Sequence, residues 1–258
     1  MFKPVFLLAC ILAIMSSCTS YRKVLYFPDV KDSAQFKSTE APEIVIRKAD
    51  IISIHVSSPN PEATELFNLP NNSEAQSSTQ TGEVMRTAGY LVASDGHIRF
   101  PMIGLLKAEG LTKKQLQEYI RTQLIERKLL LEPTVEIRHL NFKVTVLGEV
   151  TRPMVINVPN EKITLLEALG LAGDMTINGK RENVLVIRDE GGQKIAKRIN
   201  LNSNELLQST YYFLKPDDVV YVEPNKNRVA KESRLYQILP IVIGGLSTSI
   251  FILDRVIK

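Results

Sequence analysis

Alternation of apolar and polar residues dominates the chain between residues 43 and 140. Three apolar residues at 44–46, followed by apolar positions that recur with a period of two at 51–56, predict two strands joined tightly through the polar turn 47–50. The stretch 71–80 consists almost wholly of Asn, Ser, Gln and Thr. Because it offers no apolar face to bury, this stretch predicts a flexible surface loop.

A β-hairpin is predicted around Ser94-Asp95-Gly96, because Asp-Gly supplies the positive φ angles of a tight turn between two short apolar runs. The period then lengthens to that of a helix, and Thr112 with Gln115 forms a capping box at its start. The predicted apolar stripe of this helix comprises Leu116, Tyr119, Ile120 and Leu124. A strand at 134–138 follows, so hairpin, helix and returning strand predict an α+β domain.

A second unit begins with the strand-like run 143–150, and Pro153 opens a return strand. Thr164 and Glu167 form a second capping box, and Gly173 is placed to end that helix in a left-handed conformation. Further strands are predicted at 183–188, 195–199 and 219–222. A small mixed sheet crossed by one helix fits a β-grasp domain.

The amino terminus has the pattern of a bacterial lipoprotein signal. Lys3 precedes eleven apolar residues, 5–15, and two serines precede Cys18. Eleven helical residues reach about 16 Å, against the roughly 30 Å of a bilayer core, so this segment is an export signal rather than an anchor. Cys18 is therefore the expected lipidation site, and an inward-facing outer-membrane lipoprotein with periplasmic domains is the expected location. An ordinary signal peptide cleaved elsewhere is the alternative.

The composition argues against several kinds of chemistry and partner. The 258 residues include two cysteines, Cys10 inside the signal and Cys18, so a mature acylated protein offers no free thiol for catalysis or metal binding. The net charge of +4 is spread along the chain, which argues against a nucleic-acid partner. His55, His97 and His139 lie far apart and lack metal-ligand spacing, so no metal and no cofactor is expected.

The carboxyl-terminal stretch 239–253 carries no charge. As a helix it spans about 22 Å, which is short for a solitary membrane span. Its middle contains small or hydroxyl residues, namely Gly244, Gly245, Ser247, Thr248 and Ser249. Spacings of four between Gly244 and Thr248, and between Gly245 and Ser249, favour close contact between helices. A helix buried against the soluble domains is the other interpretation.

Five motifs in order make the chain resemble the Wza-type polysaccharide biosynthesis and export proteins, whose export domain precedes soluble-ligand-binding β-grasp (SLBB) domains. The resemblance covers roughly 43–224. It rests on Arg47-Lys48-Ala49-Asp50 with the apolar run after it, Gly96-His97-Ile98-Arg99-Phe100-Pro101-Met102-Ile103-Gly104, Gly110-Leu111-Thr112, Val146-Leu147-Gly148-Glu149-Val150 with Pro153, and Thr164-Leu165-Leu166-Glu167-Ala168.

Four positions depart from the family's glycines: Ala49, Met154, Asp174 and Asp217. Asp tolerates a left-handed turn, whereas Ala and Met do not. We therefore expect right-handed or extended backbone at Ala49 and Met154. One β-grasp repeat fits between residues 142 and 224, where larger relatives carry two.

The resemblance implies the following organisation: signal peptide 1–17, tether 18–42 with little packed structure, export domain 43–141, SLBB domain 142–225 and carboxyl-terminal apolar helix 226–258. It further implies a non-enzymatic translocon, a ring-shaped homo-oligomer, expected to be an octamer, that exports capsular or exopolysaccharide. The other implied partners are outer-membrane lipid and an inner-membrane polysaccharide co-polymerase or tyrosine kinase.

Two other functions stay open. A periplasmic lipoprotein that binds envelope glycans through its β-grasp domain, without forming a pore, accounts for the same domains. An enzyme using Asp217 and Asp218 as acid and base is a weak hypothesis, because consecutive residues at a strand entry point to opposite faces and resemble a solvated turn. No catalytic residue is expected.

Overall fold

The computed structural model describes residues 24–37, 40–72, 75–78, 84–226, 228, 238, 240–245, 247–249 and 252. These residues form an α+β protein with two apolar cores, one in residues 46–137 and one in residues 142–222. We call the parts around these cores the first and second units.

The first unit is built around a three-stranded antiparallel sheet in the order β4–β1–β7. Its elements are β1 (Ile51–Ser57), α1 (Pro61–Asn72), β2 (Ala75–Ser78), β3 (Val84–Thr87), β4 (Tyr90–Leu91), β5 (His97–Phe100), β6 (Gly104–Lys107), α2 (Lys113–Glu126) and β7 (Thr134–His139). Alternate residues of β1 are fully buried, as the period of two predicted. Helix α2 covers the sheet with Leu116, Ile120 and Leu124.

The predicted loop 71–80 is wrong in part, because helix α1 continues to Asn72 and β2 pairs with β3. Asn71 has a structural role: its side-chain amide accepts from the Ile54 N–H (3.2 Å) and donates to the Ile54 carbonyl (2.7 Å). Asn68 makes the same pair of bonds with Val56, at 2.9 and 2.8 Å. Two asparagines thus replace a strand along this edge of β1 and satisfy its backbone groups.

Strand pairing in the first unit differs from the prediction. Residues 44–46 are not a strand paired with β1, because Ile46 exchanges backbone hydrogen bonds with Leu111 and Gly110 instead. The tight turn at 93–96 is confirmed, since the Ala93 N–H donates to the His97 carbonyl at 2.9 Å. However, β4 pairs with β1, and β5 pairs with β6. The turn is local, whereas β4 finds a distant partner in β1 and β5 pairs with the next strand along the chain.

Both predicted capping boxes are confirmed. The Thr112 hydroxyl accepts from the Gln115 N–H at the start of α2, and Thr164 does the same with Glu167 at the start of α3 (Leu165–Leu171). Tyr119, however, is 39% exposed, so it was wrongly assigned to the buried stripe.

The second unit contains a five-stranded mixed sheet in the order β11–β10–β12–β8–β9. Its strands are β8 (Lys143–Gly148), β9 (Met154–Asn157), β10 (Gly179–Glu190), β11 (Gln193–Ile199) and β12 (Val219–Pro224). Strands β12 and β8 are parallel neighbours, and the other pairs are antiparallel. Helix α3 packs on one face, where its Leu165, Ala168 and Leu169 are buried. A mixed sheet crossed by one helix is therefore confirmed.

The backbone conformation at the four positions that lack the family's glycines corrects one expectation. Ala49 has a φ of 65°, so the right-handed or extended geometry expected there is wrong. Its N–H donates to the Val92 carbonyl at 2.9 Å, and the Asp50 carbonyl accepts from Val92, which together fix this turn. Asp174 and Asp217 occupy the left-handed region, as predicted, and Met154 lies in extended β9.

The expectation of little packed structure in the tether is wrong for Tyr26 and Phe27. Both rings pack against the core of the second unit. The Phe27 N–H donates to the Leu201 carbonyl at 3.1 Å, and the Tyr26 hydroxyl donates to Asp174. Burial is the main cause of a raised pKa at Tyr26, so its phenol stays protonated and able to donate. Apolar burial at an aromatic pair offsets the entropy lost in ordering this segment.

Candidate functional site

Charged groups converge where the two units meet. Glu161 accepts a hydrogen bond from the His139 backbone N–H and forms an ion pair with Lys113. The His139 ring is 1% exposed, and its Nε2 lies 3.3 Å from Asp50 Oδ2 without hydrogen-bond alignment. On the other side of the junction, Arg47 donates to the Pro216 carbonyl at 2.9 Å. These contacts tie the two units together at one end of the second sheet.

The most buried charges lie inside the second unit. Asp218 is fully buried and accepts from Arg188 Nε at 3.0 Å and from Arg188 Nη2 at 2.7 Å. The Arg188 guanidinium also lies 4.5 Å from the centre of the Tyr211 ring. The predicted solvated turn is therefore right for Asp217, whose side chain is 55% exposed, and wrong for Asp218. Because Asp218 is enclosed by its partners, it has a structural role.

No group of three or more His, Cys, Asp or Glu among the described residues is placed to hold a metal ion. His55 is exposed on β1, His97 lies at the 93–96 turn and His139 lies at the junction, so the three histidines occupy three separate places.

An open groove of about 610 Å³ lies on the first unit. Its walls combine the half-exposed Tyr119 ring with polar side chains of Lys107, Glu109 and Gln115. An aromatic face beside hydrogen-bonding groups suits a ligand that has apolar C–H faces and many hydroxyls.

The two units correspond to known families. Residues 38–140 match the polysaccharide biosynthesis/export protein family, and residues 143–197 match the SLBB domain. The chain joins a polysaccharide export domain to an SLBB domain. The groove therefore lies within the export-domain match, and Arg188 lies within the SLBB match, whereas its partner Asp218 follows that match in the same unit. We call the whole second unit the SLBB domain. The resemblance deduced from five motifs is confirmed.

Two relatives carry the same description, EPS I polysaccharide export outer membrane protein EpsA. The protein from Ralstonia solanacearum is 29% identical over 143 residues, which cover 54% of this chain and 37% of the relative. The protein from Ralstonia nicotianae is 27% identical over 150 residues, covering 57% of this chain and 38% of the relative. The chain thus aligns with less than two fifths of the length of these relatives.

Beyond the SLBB domain, residues 240–245 and 247–249 are helical. The Thr248 hydroxyl donates to the Gly244 carbonyl at 3.0 Å, and the Ser249 hydroxyl donates to the Gly245 carbonyl at 2.8 Å. Ser247 likewise donates to Gly244 at 2.9 Å. A methyl group added at either glycine would meet no atom within 4 Å. The described helices include none with the length and apolar character needed to cross a bilayer.

Of the predicted site residues, Cys18 lies outside the described residues, and the five small residues of the carboxyl-terminal helix share one surface-exposed segment. The junction and the buried pair were missed, although the sequence carries signals for both. His139 continues the buried alternation of β7, and Arg188 continues that of β10 after Val184 and Val186. A charged residue at a position that should be buried signals a partner, but the alternation does not identify it.

Proposed function

We propose that this protein is a non-enzymatic subunit of an outer-membrane translocon that exports capsular or exopolysaccharide. The observation that supports this most directly is the order of parts in one chain: an export-family domain, an SLBB domain, and then a helix with exposed apolar side chains. Export needs a water-filled passage and a polar lining rather than a nucleophile. The Ralstonia relatives named as polysaccharide export outer membrane proteins support the same compartment.

In this proposal Cys18 carries the lipid that fixes the protein to the periplasmic face of the outer membrane. The signal pattern before Cys18 supports acylation at this position. The SLBB and export domains then lie in the periplasm. An inner-membrane polysaccharide co-polymerase or tyrosine kinase delivers the polymer, as the family resemblance implies.

The carboxyl-terminal helix assembles with its copies and forms the exit through the membrane. Two features of the helix support this role. Ile241 and Ile243 are 73% and 57% exposed, which costs free energy in water and favours a lipid or protein environment. Gly244 and Gly245 leave open space for a neighbouring helix. Hydroxyls bonded to their own helix satisfy their hydrogen bonds wherever they face.

The assembly state tests this proposal. Full-length acylated protein, extracted from outer membranes in mild detergent and imaged as single particles, is expected to form rings with a central cavity. Replacing Gly245 with Leu is expected to break the rings, because its side chain occupies the space for a neighbouring helix. Ser247→Ala, which retains a small residue, is the matched control. A monodisperse monomer of the acylated wild-type protein would contradict the translocon.

The groove on the export domain favours a second candidate, a periplasmic glycan-binding lipoprotein without a pore. Tyr119 would stack on sugar rings while Glu109 and Gln115 bind hydroxyls. Tyr119→Ala is then expected to weaken glycan binding at least tenfold, or about 1.4 kcal/mol, and Tyr119→Phe to retain it. Deleting 239–258 separates the two functions. A translocon loses surface polysaccharide, whereas a binding protein keeps its ligand.

A further inference from the structure

The buried ring of His139 lies where the chain passes from the export domain to the SLBB domain. His139 is the last residue of β7, and two residues later Phe142 enters the core of the second unit. The Leu140 N–H donates to the Ile51 carbonyl at 2.8 Å, and the Asn141 side chain accepts from the Ile51 N–H at 2.9 Å. The connection between the domains is therefore short and bound to the first strand of the export domain.

One carboxylate from each domain faces this ring. Its Nε2 lies 3.3 Å from Asp50 Oδ2 in the export domain, and its Nδ1 lies 3.9 Å from Glu161 Oε1 in the SLBB domain. The ring is 1% exposed, yet within the described part of the chain neither of its nitrogens has an aligned hydrogen-bond partner. Because buried polar groups are nearly always paired, this arrangement requires a physical explanation.

A proton on the ring accounts for the arrangement. Neutral imidazole has one N–H donor, so one of its nitrogens presents a lone pair to a carboxylate. The imidazolium ion has two N–H donors and can donate to both carboxylates. A hydrogen bond between opposite charges is about twice as strong as a neutral one, so the protonated ring joins the domains more firmly.

The other charged groups at this junction leave the ring's position electrically unbalanced. Glu161 forms an ion pair with Lys113 at the start of α2. Asp50 accepts from the backbone N–H of Arg47 at 2.7 Å, whereas the Arg47 guanidinium lies 3.5 Å from Asp217. Two carboxylates therefore face the ring with one ammonium group beside them. One negative charge is unbalanced while the ring is neutral and is balanced when the ring is protonated.

We propose that His139 is a proton-binding site that couples the two domains, because its protonated ring joins Asp50 of the export domain to Glu161 of the SLBB domain. The coupling is present in mildly acidic solution and is lost as the pH rises and the ring releases its proton. Histidine ordinarily titrates between about pH 5 and 8, so the change falls in this range. The site needs no polymer, membrane or second copy, and it goes beyond the proposed export function.

The backbone N–H of His139 reports on the junction, because it donates across the domain boundary to Glu161. Deuterium exchange of full-length protein in mild detergent is measured from about pH 5 to about pH 8, and each rate is divided by the intrinsic rate at that pH. The opening constant of this amide is expected to be at least about tenfold larger at the upper pH, which corresponds to one hydrogen bond between charged groups. The Val186 and Val220 amides, in the buried centre of the SLBB sheet, should change less.

Two histidine variants form a matched pair. His139→Asn takes up no proton in this range, so the difference between the two pH limits should fall below about twofold. His55→Asn, at an exposed position on β1, should keep the full difference. Glu161→Gln leaves the ring in place and retains an acceptor for the backbone N–H, but it removes the carboxylate of the SLBB domain. It should also reduce the pH dependence, whether or not His139→Asn folds.

Exchange of the ring Cε1 hydrogen, followed by mass spectrometry, measures protonation of His139 directly. The ring should titrate over the same pH range as the opening of its backbone amide, and agreement of the two curves supports the site. A ring that takes up no proton between about pH 5 and 8 overturns the proposal. A titrating ring whose backbone amide shows the same pH dependence in the wild type and in Glu161→Gln overturns the coupling of the domains.

Discussion

Removing the carboxylate of Asp218 should destabilise the SLBB domain more than any surface charge change. Asp218→Ala leaves the Arg188 guanidinium, 3% exposed, without three of its hydrogen bonds. It also leaves the Lys215 N–H without its acceptor at 2.8 Å. Breaking a buried ion pair by removing one partner costs about 3–5 kcal/mol.

Arg188 keeps other contacts in Asp218→Ala, so the expected loss of stability lies at the lower end of that range. Arg188 still donates to the Phe213 carbonyl at 3.1 Å and still stacks on Tyr211. We therefore expect a loss of about 3 kcal/mol, or more than a hundredfold in the equilibrium constant for opening. Hydrogen exchange at Val186 and Val220, both fully buried in the central strands, measures this constant directly.

Glu190→Gln is the matched control, because Glu190 is a surface carboxylate of the same network: it lies 3.9 Å from Arg188 Nη1 and pairs with Lys215 at 2.8 Å. The side chains of Glu190 and Lys215 are both more than a third exposed, so the control should cost at most about 1 kcal/mol. Arg188→Met combined with Asp218→Leu should recover most of the loss, since no buried charge is left unpaired. If hydrogen exchange gives the same opening constant for Asp218→Ala as for the control Glu190→Gln, the reasoning is refuted.

Three further predictions concern the backbone and a surface carboxylate. Ala49→Gly should stabilise the protein by about 0.5–1 kcal/mol in thermal unfolding, because the φ angle of Ala49 is 65°. The control Ala93→Gly, at an exposed position with negative φ, should destabilise the protein. Equal effects of the two substitutions would contradict the argument. Gly148→Ala should destabilise the SLBB domain by at least about 3 kcal/mol, since the added methyl group would lie 2.1 Å from the Val222 carbonyl oxygen. Unchanged hydrogen exchange of the strand amides would contradict this prediction. A hydrogen bond from Arg198 lowers the pKa of Glu223 below 4.5. The stability that this carboxylate contributes is therefore present above pH 4.5 and is lost as the pH falls through the pKa of the folded state. Glu223→Gln should flatten the acid limb of a curve of stability against pH, and an unchanged limb would exclude this carboxylate.

The elements predicted correctly from sequence have all their determinants within a few residues. Each capping box needs two side chains three positions apart, and both Thr112 with Gln115 and Thr164 with Glu167 form as the spacing predicts. The turn at 93–96 forms for the same reason. Local hydrogen bonds depend little on the remainder of the fold.

The errors concern the choice of distant partners. Asn71 was predicted to lie in a flexible loop, yet it binds the edge of β1 together with Asn68, because a helix that was not predicted places both there. Ala49 adopts a left-handed turn that its own preference disfavours, since hydrogen bonds with Val92 fix the backbone from both sides. Tertiary contacts outweighed local preference in each case.

The sequence alone determined the α+β composition, the capped helices and the five motifs that identify the export and SLBB domains, and it predicts a lipoprotein signal around Cys18. Only the tertiary structure decided that Arg188 meets Asp218, and that Tyr26 packs against the SLBB domain. The physical reason is the range of the interactions. A period or a cap is specified by neighbours in the chain, whereas an ion pair or a docked aromatic ring depends on how the complete fold closes.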